Sequence, residues 1–284
     1  MRISWRAALA AAFLAGTARA GRAQIDYRNL DDDRPVRVED AYPVERFAFE
    51  FLTPYRVERD KDGSTLHAFI PELEYGLFRN FQLGLKLPVA GSDADALGAM
   101  QWGLSGMRLF ALYNFNTESR LLPALSLRAD ATLPVGSLGG SRTRGSLKAL
   151  ATRSFGQSRV HLNAEYGFGR DGGTAVVEGT DRWWYGAAVD RTLFRTSTLV
   201  IGEVSARRPA DGTPVEVNAS LGLRRQWSPT TVLDLGISRG LRENLGPDFA
   251  FTLGVSRAFG IAGLMPHGRT PSAAPAGGNN EHHH

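Results

Sequence analysis

The chain has 284 residues, with 33 Lys and Arg against 29 Asp and Glu and no cysteine. The absence of cysteine excludes a disulfide framework, an iron–sulfur cluster and a thiolate zinc site, and without a run of basic residues no nucleic-acid partner is predicted. No apolar run approaches the roughly 18 residues of a transmembrane helix, so a membrane would have to be crossed by strands.

The N-terminus has the pattern of a secretory signal. Arg2 and Arg6 precede a short apolar core at residues 7–14, and small residues follow at Ala18, Ala20 and Gly21. We predict a cleaved signal peptide over residues 1–23, with an amphipathic helix as the alternative. Residues 24–43, which are rich in Asp, are predicted as an N-terminal periplasmic segment. The sequence leaves open whether they stay outside as an arm or enter a lumen.

Residues 44–259 consist of segments in which apolar and polar residues alternate, as in strands with one apolar and one polar face. In the first, Phe49 and Phe51 flank Glu50. Pro71 interrupts the second and predicts a bulge, because proline cannot donate to a strand ladder. The predicted strands cover residues 47–57, 69–77, 81–89, 107–115, 125–133, 146–155, 160–168, 183–194, 199–207, 217–224, 233–238 and 249–256.

The gaps between these segments alternate in length. Long loops at 91–101, 136–144 and 170–181 alternate with short turns such as 78–80 and 156–158. This alternation predicts an all-β fold: a transmembrane, antiparallel, up-and-down β-barrel of about 12 strands with both ends on the periplasmic side.

The width of such a barrel assigns the two faces. About 12 strands enclose a cylinder roughly 24 Å across, which Leu and Phe cannot fill, so we predict a polar lumen and an apolar exterior facing outer-membrane lipid. Aromatic residues beside the short turns fit an interfacial girdle, with the core of a large β-sandwich as the alternative. They are Phe47, Phe78, Phe81, Tyr113, Phe115, Phe155, Phe194, Trp227 and Phe259.

Twelve charged residues fall on the lumen face and are the candidate lumen or constriction residues. They are Glu50, Glu72, Glu74, Lys86, Arg108, Arg128, Asp130, Lys148, Glu165, Glu216, Arg224 and Asp234. Their mixed signs suit either an ion-pair network that rigidifies or partly plugs the barrel, or a constriction that selects small solutes. His161 and Glu165 are too far apart along a strand to share a metal. No metal or cofactor site is predicted.

Motifs that could indicate an enzyme lack their structural context. Residues 167–172 match a phosphate-binding glycine pattern without a following helix, and Gly236 begins a nucleophile-elbow spacing at a strand end. Ser105 and His67 are placed near the outer rim on the lipid-facing side, where a membrane phospholipase would need them, but a strand separates them. No enzyme is predicted. The two faces are unclear between Leu199 and Ser205.

Two stretches resemble a known family. Arg34-Pro35 through Glu39-Asp40-Ala41, continued by residues 46–50, and the hairpin of residues 71–85 resemble the outer-membrane family associated with the meta-cleavage pathway of phenol degradation. The resemblance implies a barrel that moves small organic molecules, aromatic ones included. In such barrels a terminal aromatic residue is the insertion signal. Here that residue is Phe259, although a Gly/Pro/Ala-rich tail predicted as disordered, residues 260–284, follows it.

These observations predict a channel or transporter for small organic solutes, exported to the outer membrane of a Gram-negative envelope. A closed structural barrel acting through its extracellular loops is the alternative, and an outer-membrane phospholipase is the least favoured. The expected partners are outer-membrane lipid, the barrel-insertion machinery and a small solute. The oligomeric state is not predicted.

Overall fold

The computed structural model describes residues 20–21, 24–93, 100–169, 181–209, 214–243 and 245–265. Most of the predicted signal peptide, residues 94–99 of the predicted loop 91–101, residues 170–180 of the predicted loop 170–181, and the tail after residue 265 lie outside these ranges. Across the described residues, no helix has the length and apolar character needed to cross a membrane.

Twelve antiparallel strands form one closed sheet, which confirms the predicted all-β barrel and excludes the β-sandwich. The sheet closes because β12 pairs with both parts of β1, with Phe259 opposite Phe49 and Phe251 opposite Val57. The strands are β1 (Ala48–Leu52 and Tyr55–Asp60), β2 (Thr65–Phe69 and Glu72–Phe78), β3 (Phe81–Lys86 and Val89–Ser92), β4 (Gln101–Leu104 and Met107–Asn116), β5 (Ala124–Leu133), β6 (Arg144–Phe155), β7 (Ser158–Phe168), β8 (Asp181–Leu193), β9 (Thr198–Pro209), β10 (Glu216–Ser228), β11 (Thr231–Gly240) and β12 (Pro247–Ile261).

Three short elements accompany the barrel. Single 3-10 turns follow β8 at Phe194–Thr196 and β12 at Ala262–Leu264. The two-residue segment Ala20–Gly21 pairs with the end of β12.

Each of the first four strands is interrupted once, and three of the interruptions contain proline. The interruption predicted at Pro71 is one of a row that also includes Pro54 and Pro88. Proline has no backbone N–H to donate, but its carbonyl still accepts a bond from the next strand. Ile70 N donates to Pro54 O, and Leu87 N donates to Pro71 O, both at 2.9 Å. The sheet therefore stays continuous across the row.

The two rims of the barrel differ in their connections. Short turns at residues 79–80, 156–157 and 229–230 lie on the rim that also holds the start of β1 and the end of β12. On the opposite rim, β1 and β2 are joined by a tight turn, in which Asp60 N donates to Ser64 O. This connection is short because both strands run further than the sequence pattern predicts.

Large apolar side chains cover the outer surface, as expected of a wall that meets lipid. Phe49 stacks on Tyr75 at 4.4 Å between ring centroids, and on Phe259 at 5.3 Å. The rim with the short turns carries a set of exposed aromatic side chains, which is the arrangement of an interfacial girdle. They are Phe78, Phe115, Phe155, Phe194 and Trp227.

Candidate functional site

The lumen of the barrel is occupied by the chain itself. We call residues 25–44 the lumen segment. Its side chains at Leu30, Arg34 and Val38 are buried, and its polar groups bind lumen-facing residues of β3 to β12. Of the two locations that the sequence leaves open for the segment predicted over residues 24–43, an outside arm or the lumen, the structure has the lumen. The physical reason is charge complementarity, because the segment carries both acids and bases that match the mixed charges of the wall.

The backbone of the lumen segment is held by polar side chains of the wall. Glu39 N donates to Asn163 Oδ1 at 2.9 Å, and Asn163 Nδ2 donates back to Glu39 O at 2.8 Å. Val38 N donates to Glu203 at 2.6 Å, and Val44 N to Gln82 at 2.7 Å. The segment forms no ladder with the strands, so these side chains provide the hydrogen bonds that its buried backbone requires.

Asp32 lies at the centre of the strongest group of charges, which we call the Asp32 cluster. Its carboxylate lies 2.6 Å from Lys148 Nζ and 3.1 Å from Lys86 Nζ, with Arg108 at 3.4 Å and Arg128 at 3.6 Å. These four cations come from β3, β4, β5 and β6. One carboxylate of the lumen segment therefore ties together four neighbouring strands.

Glu39 provides a second acid to the same cluster. Arg128 Nη1 lies 3.1 and 3.0 Å from the two carboxylate oxygens of Glu39, while its Nη2 donates to Asp130 at 2.9 Å. Lys148 lies 3.6 Å from Glu39. Charge-assisted bonds of this kind are stronger than neutral ones, so Glu39 reinforces the attachment made by Asp32.

Aromatic rings lie directly beside two of these cations. The guanidinium of Arg128 lies 3.7 Å from the centroid of Phe110, and Lys148 Nζ lies 5.7 Å from the ring of Trp184. Both rings are buried inside the barrel. The Asp32 cluster thus combines positive charge with flat apolar surface.

Arg34 of the lumen segment is the centre of a second group of charges, which involves β10, β11 and β12. Its Nη1 donates to Asp234 at 2.9 Å and also contacts Ser256, and its Nη2 pairs with Asp31. Arg224 of β10 lies 2.8 Å from Asp31 and 3.0 Å from Asp234. Two arginines and two aspartates are therefore interlocked, one pair from the segment and one from the wall.

The apolar residues of the lumen segment explain the unclear faces of β9. Leu199 and Ile201 point inward and are fully buried, in one cluster with Leu30, Val36 and Val38. Inward-facing Leu and Ile break the polar pattern of the lumen. They do so because the segment covers them.

Glycines on β10 and β11 leave the space that the segment needs. A Cβ on Gly236 would lie 2.0 Å from Pro35 O, and one on Gly222 would lie 2.6 Å from Pro35 Cγ. Gly222 and Gly236 are register partners. The spacing that began at Gly236 thus marks a contact with the segment rather than a nucleophile elbow.

The twelve sequence-predicted charged residues all face the interior, but they join different groups. Four of them contact Asp32: Lys86, Arg108, Arg128 and Lys148. Three acids pair with these cations: Asp130 with Arg128, Glu72 with Lys86 at 3.4 Å, and Glu165 with Lys148 at 3.8 Å. Arg224, Asp234 and Glu50 belong to the Arg34 group, and Glu74 lies beside Glu50. Glu216 is separate and binds Arg207 at 2.8 Å near the other rim.

Sequence reasoning missed Asp32, Arg34 and Glu39 as site residues. Their signal was the mixture of acids and bases at residues 31–40, which has no periodicity and so fell outside the strand pattern. At the end of the segment near the rim with the short turns, the pKa of Asp26 lies below its usual range. Burial opposes this shift, but the hydrogen bonds that Arg28 donates outweigh it.

The residues considered for a phospholipase do not form a catalytic pair. Ser105, predicted on the lipid-facing side, is buried, and its hydroxyl donates to Leu138 O at 3.1 Å. His67 Nδ1 lies 2.8 Å from the Tyr55 hydroxyl. The placement of Ser105 was wrong because the break before Gly106 shifts the alternation of faces in β4.

No protein-family model matches the sequence, and no curated protein matches it. Among solved structures, the chain is similar to the COG4313 outer membrane channel from Pseudomonas putida F1, with a TM-score of 0.59 and 17% identity over 78% of this chain and 98% of that one. It is also similar to the KdgM porin, with a TM-score of 0.51 and 13% identity over 73% and 98% of the two chains. A structure of the KdgM porin in complex with disordered oligogalacturonate gives a TM-score of 0.52 at 13% identity.

The fold is that of an outer-membrane barrel. At these identities the likeness shows the fold alone. The coarser part of the predicted resemblance, a barrel of the kind found in outer-membrane channels, is confirmed. The association with phenol degradation stays a prediction.

Proposed function

We propose that this protein is an outer-membrane channel for small organic anions, aromatic carboxylates included, and that its lumen segment closes the lumen at rest. The observation that carries the proposal is the polar attachment of the segment, in which ion pairs centred on Asp32 and hydrogen bonds to the wall add to the apolar contacts of Leu30 and Val38. Such bonds can exchange partners with a charged solute. Similarity in fold to the channels named above supports the same role.

The choice of solute follows from what the Asp32 cluster offers once the segment has left. Its wall residues are the four cations Lys86, Arg108, Arg128 and Lys148 and the three carboxylates Glu72, Asp130 and Glu165, an excess of one positive charge. Phe110 and Trp184 supply rings beside Arg128 and Lys148. A carboxylate attached to an aromatic ring can use both features, because its ring can stack on Phe110 or Trp184 and its carboxylate can pair with the cations.

Flux into liposomes that contain the purified protein tests this function. We expect benzoate to enter faster than a neutral sugar of similar size, because the sugar gains nothing from the cations. Liposomes without protein are the control. Equal rates for benzoate and the sugar would contradict the solute class, and no flux of either from correctly folded protein would contradict a channel.

A closed structural barrel is the second candidate, and one observation favours it. The buried ion pairs of Asp32, Arg34 and Glu39 fill the centre of the barrel and bind strands from both halves of the sheet. If the segment never leaves, the protein will conduct no solute and its role will reside in the loops of the rim opposite the short turns. The flux experiment separates the two candidates.

A further inference from the structure

Three buried carboxylates meet where the lumen segment contacts the first two strands. Asp31 comes from the segment, Glu50 from β1 and Glu74 from β2, and one oxygen of each lies within 4.8 Å of the others. Glu50 and Glu74 are direct register partners on neighbouring strands. Like charges placed directly opposite each other destabilise a sheet, so this pairing needs a compensating positive charge.

The described residues do not supply that charge in full. Glu50 Oε1 and Glu74 Oε2 are buried, and neither accepts a hydrogen bond from any residue that the structure describes. Arg34 lies 3.7 Å from Glu50 but is already bound to Asp31 and Asp234. A buried carboxylate is paired, binds a metal ion or is neutralised by a proton, and a metal ion is the one of these that can serve all three carboxylates at once.

The charge balance of the neighbourhood gives the valence. Four carboxylates, those of Asp31, Glu50, Glu74 and Asp234, share two guanidinium groups, those of Arg34 and Arg224. The difference between four negative and two positive charges is two. With all four carboxylates ionised, one divalent cation restores neutrality.

A route for an ion leads to the site from the periplasmic rim. A cavity of about 360 Å³ is lined by Gln24, Asp26 and Arg28 at the start of the segment and reaches Glu50 on the wall. Of the three clustered carboxylates, Glu50 is the one that lines this cavity. A plausible metal site needs such an access route as well as its ligands.

We propose that Asp31, Glu50 and Glu74 bind one divalent cation of the hard, oxygen-preferring class, Ca²⁺ or Mg²⁺, and that this ion fastens the lumen segment to β1 and β2. Carboxylate oxygens are the ligands such ions prefer. No metal site was predicted from the sequence, because one of the three ligands lies outside the barrel strands. The fastening role rests on the proposed function, whereas ion binding does not.

Calorimetric titration of Ca²⁺ into the full-length protein tests the site, after treatment with a chelator in detergent at neutral pH. We expect one ion per chain. Glu74→Gln and Asp31→Asn should each weaken binding about tenfold or more, since changes in the surroundings of a metal site already cost about 10- to 100-fold. Glu165→Gln is the matched control, because Glu165 also faces the lumen but binds Lys148. It should leave the affinity unchanged.

Two results would overturn the site: no binding of Ca²⁺ or Mg²⁺ by the unaltered protein, or binding that survives both ligand substitutions. Asp31→Asn keeps the test decisive if Glu74→Gln fails to fold, because Asp31 lies outside the strands. Planar-bilayer recordings then test the fastening, with more frequent opening expected after the chelator. Silent bilayers combined with Ca²⁺ binding that depends on Glu74 would contradict the channel and leave the ion site standing.

Discussion

The carboxylate of Asp32, on the lumen segment, lies 2.6 Å from the ammonium group of Lys148 on β6. Lys86, Arg108 and Arg128 surround the same carboxylate. A short segment without regular secondary structure is thereby held at the centre of the barrel by a carboxylate, which is the same chemical group that a carboxylate solute would present to these cations.

Asp32→Asn should loosen the lumen segment. The substitution leaves four cations, of which Lys86, Arg128 and Lys148 are buried, with one carboxylate fewer, and removing one partner of a buried pair costs about 3 kcal/mol or more. That cost corresponds to a shift of roughly 100-fold toward the detached segment. Single-channel recordings should show more frequent or longer openings.

The control for Asp32→Asn is Asp26→Asn, on the same segment. Asp26 pairs with Arg28 at the exposed end of the segment, near the rim with the short turns, where ion pairs contribute little. We expect recordings of this variant to match those of the unaltered protein. If Asp32→Asn opens no more often than Asp26→Asn, Asp32 does not hold the segment.

Gly236→Val should displace the segment by steric overlap. A Cβ at this position would lie 2.0 Å from Pro35 O, which is backbone and cannot rotate away. We expect higher conductance with the barrel still folded. Gly202→Val is the matched control, since a Cβ at Gly202 would be 3.9 Å from its nearest neighbour, Leu221. Equal conductance of the two variants would show that a side chain at position 236 does not displace the lumen segment at Pro35.

Trp184→Leu should weaken the interaction of the lumen with aromatic acids. Loss of a ring beside Lys148 removes a contact of about 1 kcal/mol, or roughly fivefold in affinity. Block of the open channel by benzoate measures this effect, and acetate, which has the same charge without a ring, is the control. A similar loss for both acids would mean that Trp184 supports the lumen generally and does not bind rings.

Arg108→Glu should reverse the preference for anions. The Asp32 cluster without its segment carries one net positive charge, and this substitution changes it to one net negative charge. Reversal potentials in a salt gradient, measured on protein lacking residues 24–43, should move from anion toward cation selectivity. Arg239→Glu, at an exposed position near the rim opposite the short turns, should leave the potential unchanged.

The alternation of apolar and polar residues was enough to predict the barrel, its two faces and the inward direction of residues such as Lys86 and Arg224. The periodicity works because each strand residue faces either lipid or lumen. It carried no information on residues 25–44, whose position depends on contacts with distant strands, such as Arg34 with Asp234. The one local trace of the segment was the unclear pattern at Leu199 and Ile201, where apolar residues turn inward to meet it.

In the proposed function, the lumen segment closes an otherwise open barrel. Conductance in planar bilayers, compared between the full-length protein and a variant lacking residues 24–43, tests it most directly. We expect small or rare currents for the full-length protein and a steady, larger conductance for the shortened variant, with both forms equally folded. Equal conductance of the two proteins would contradict it.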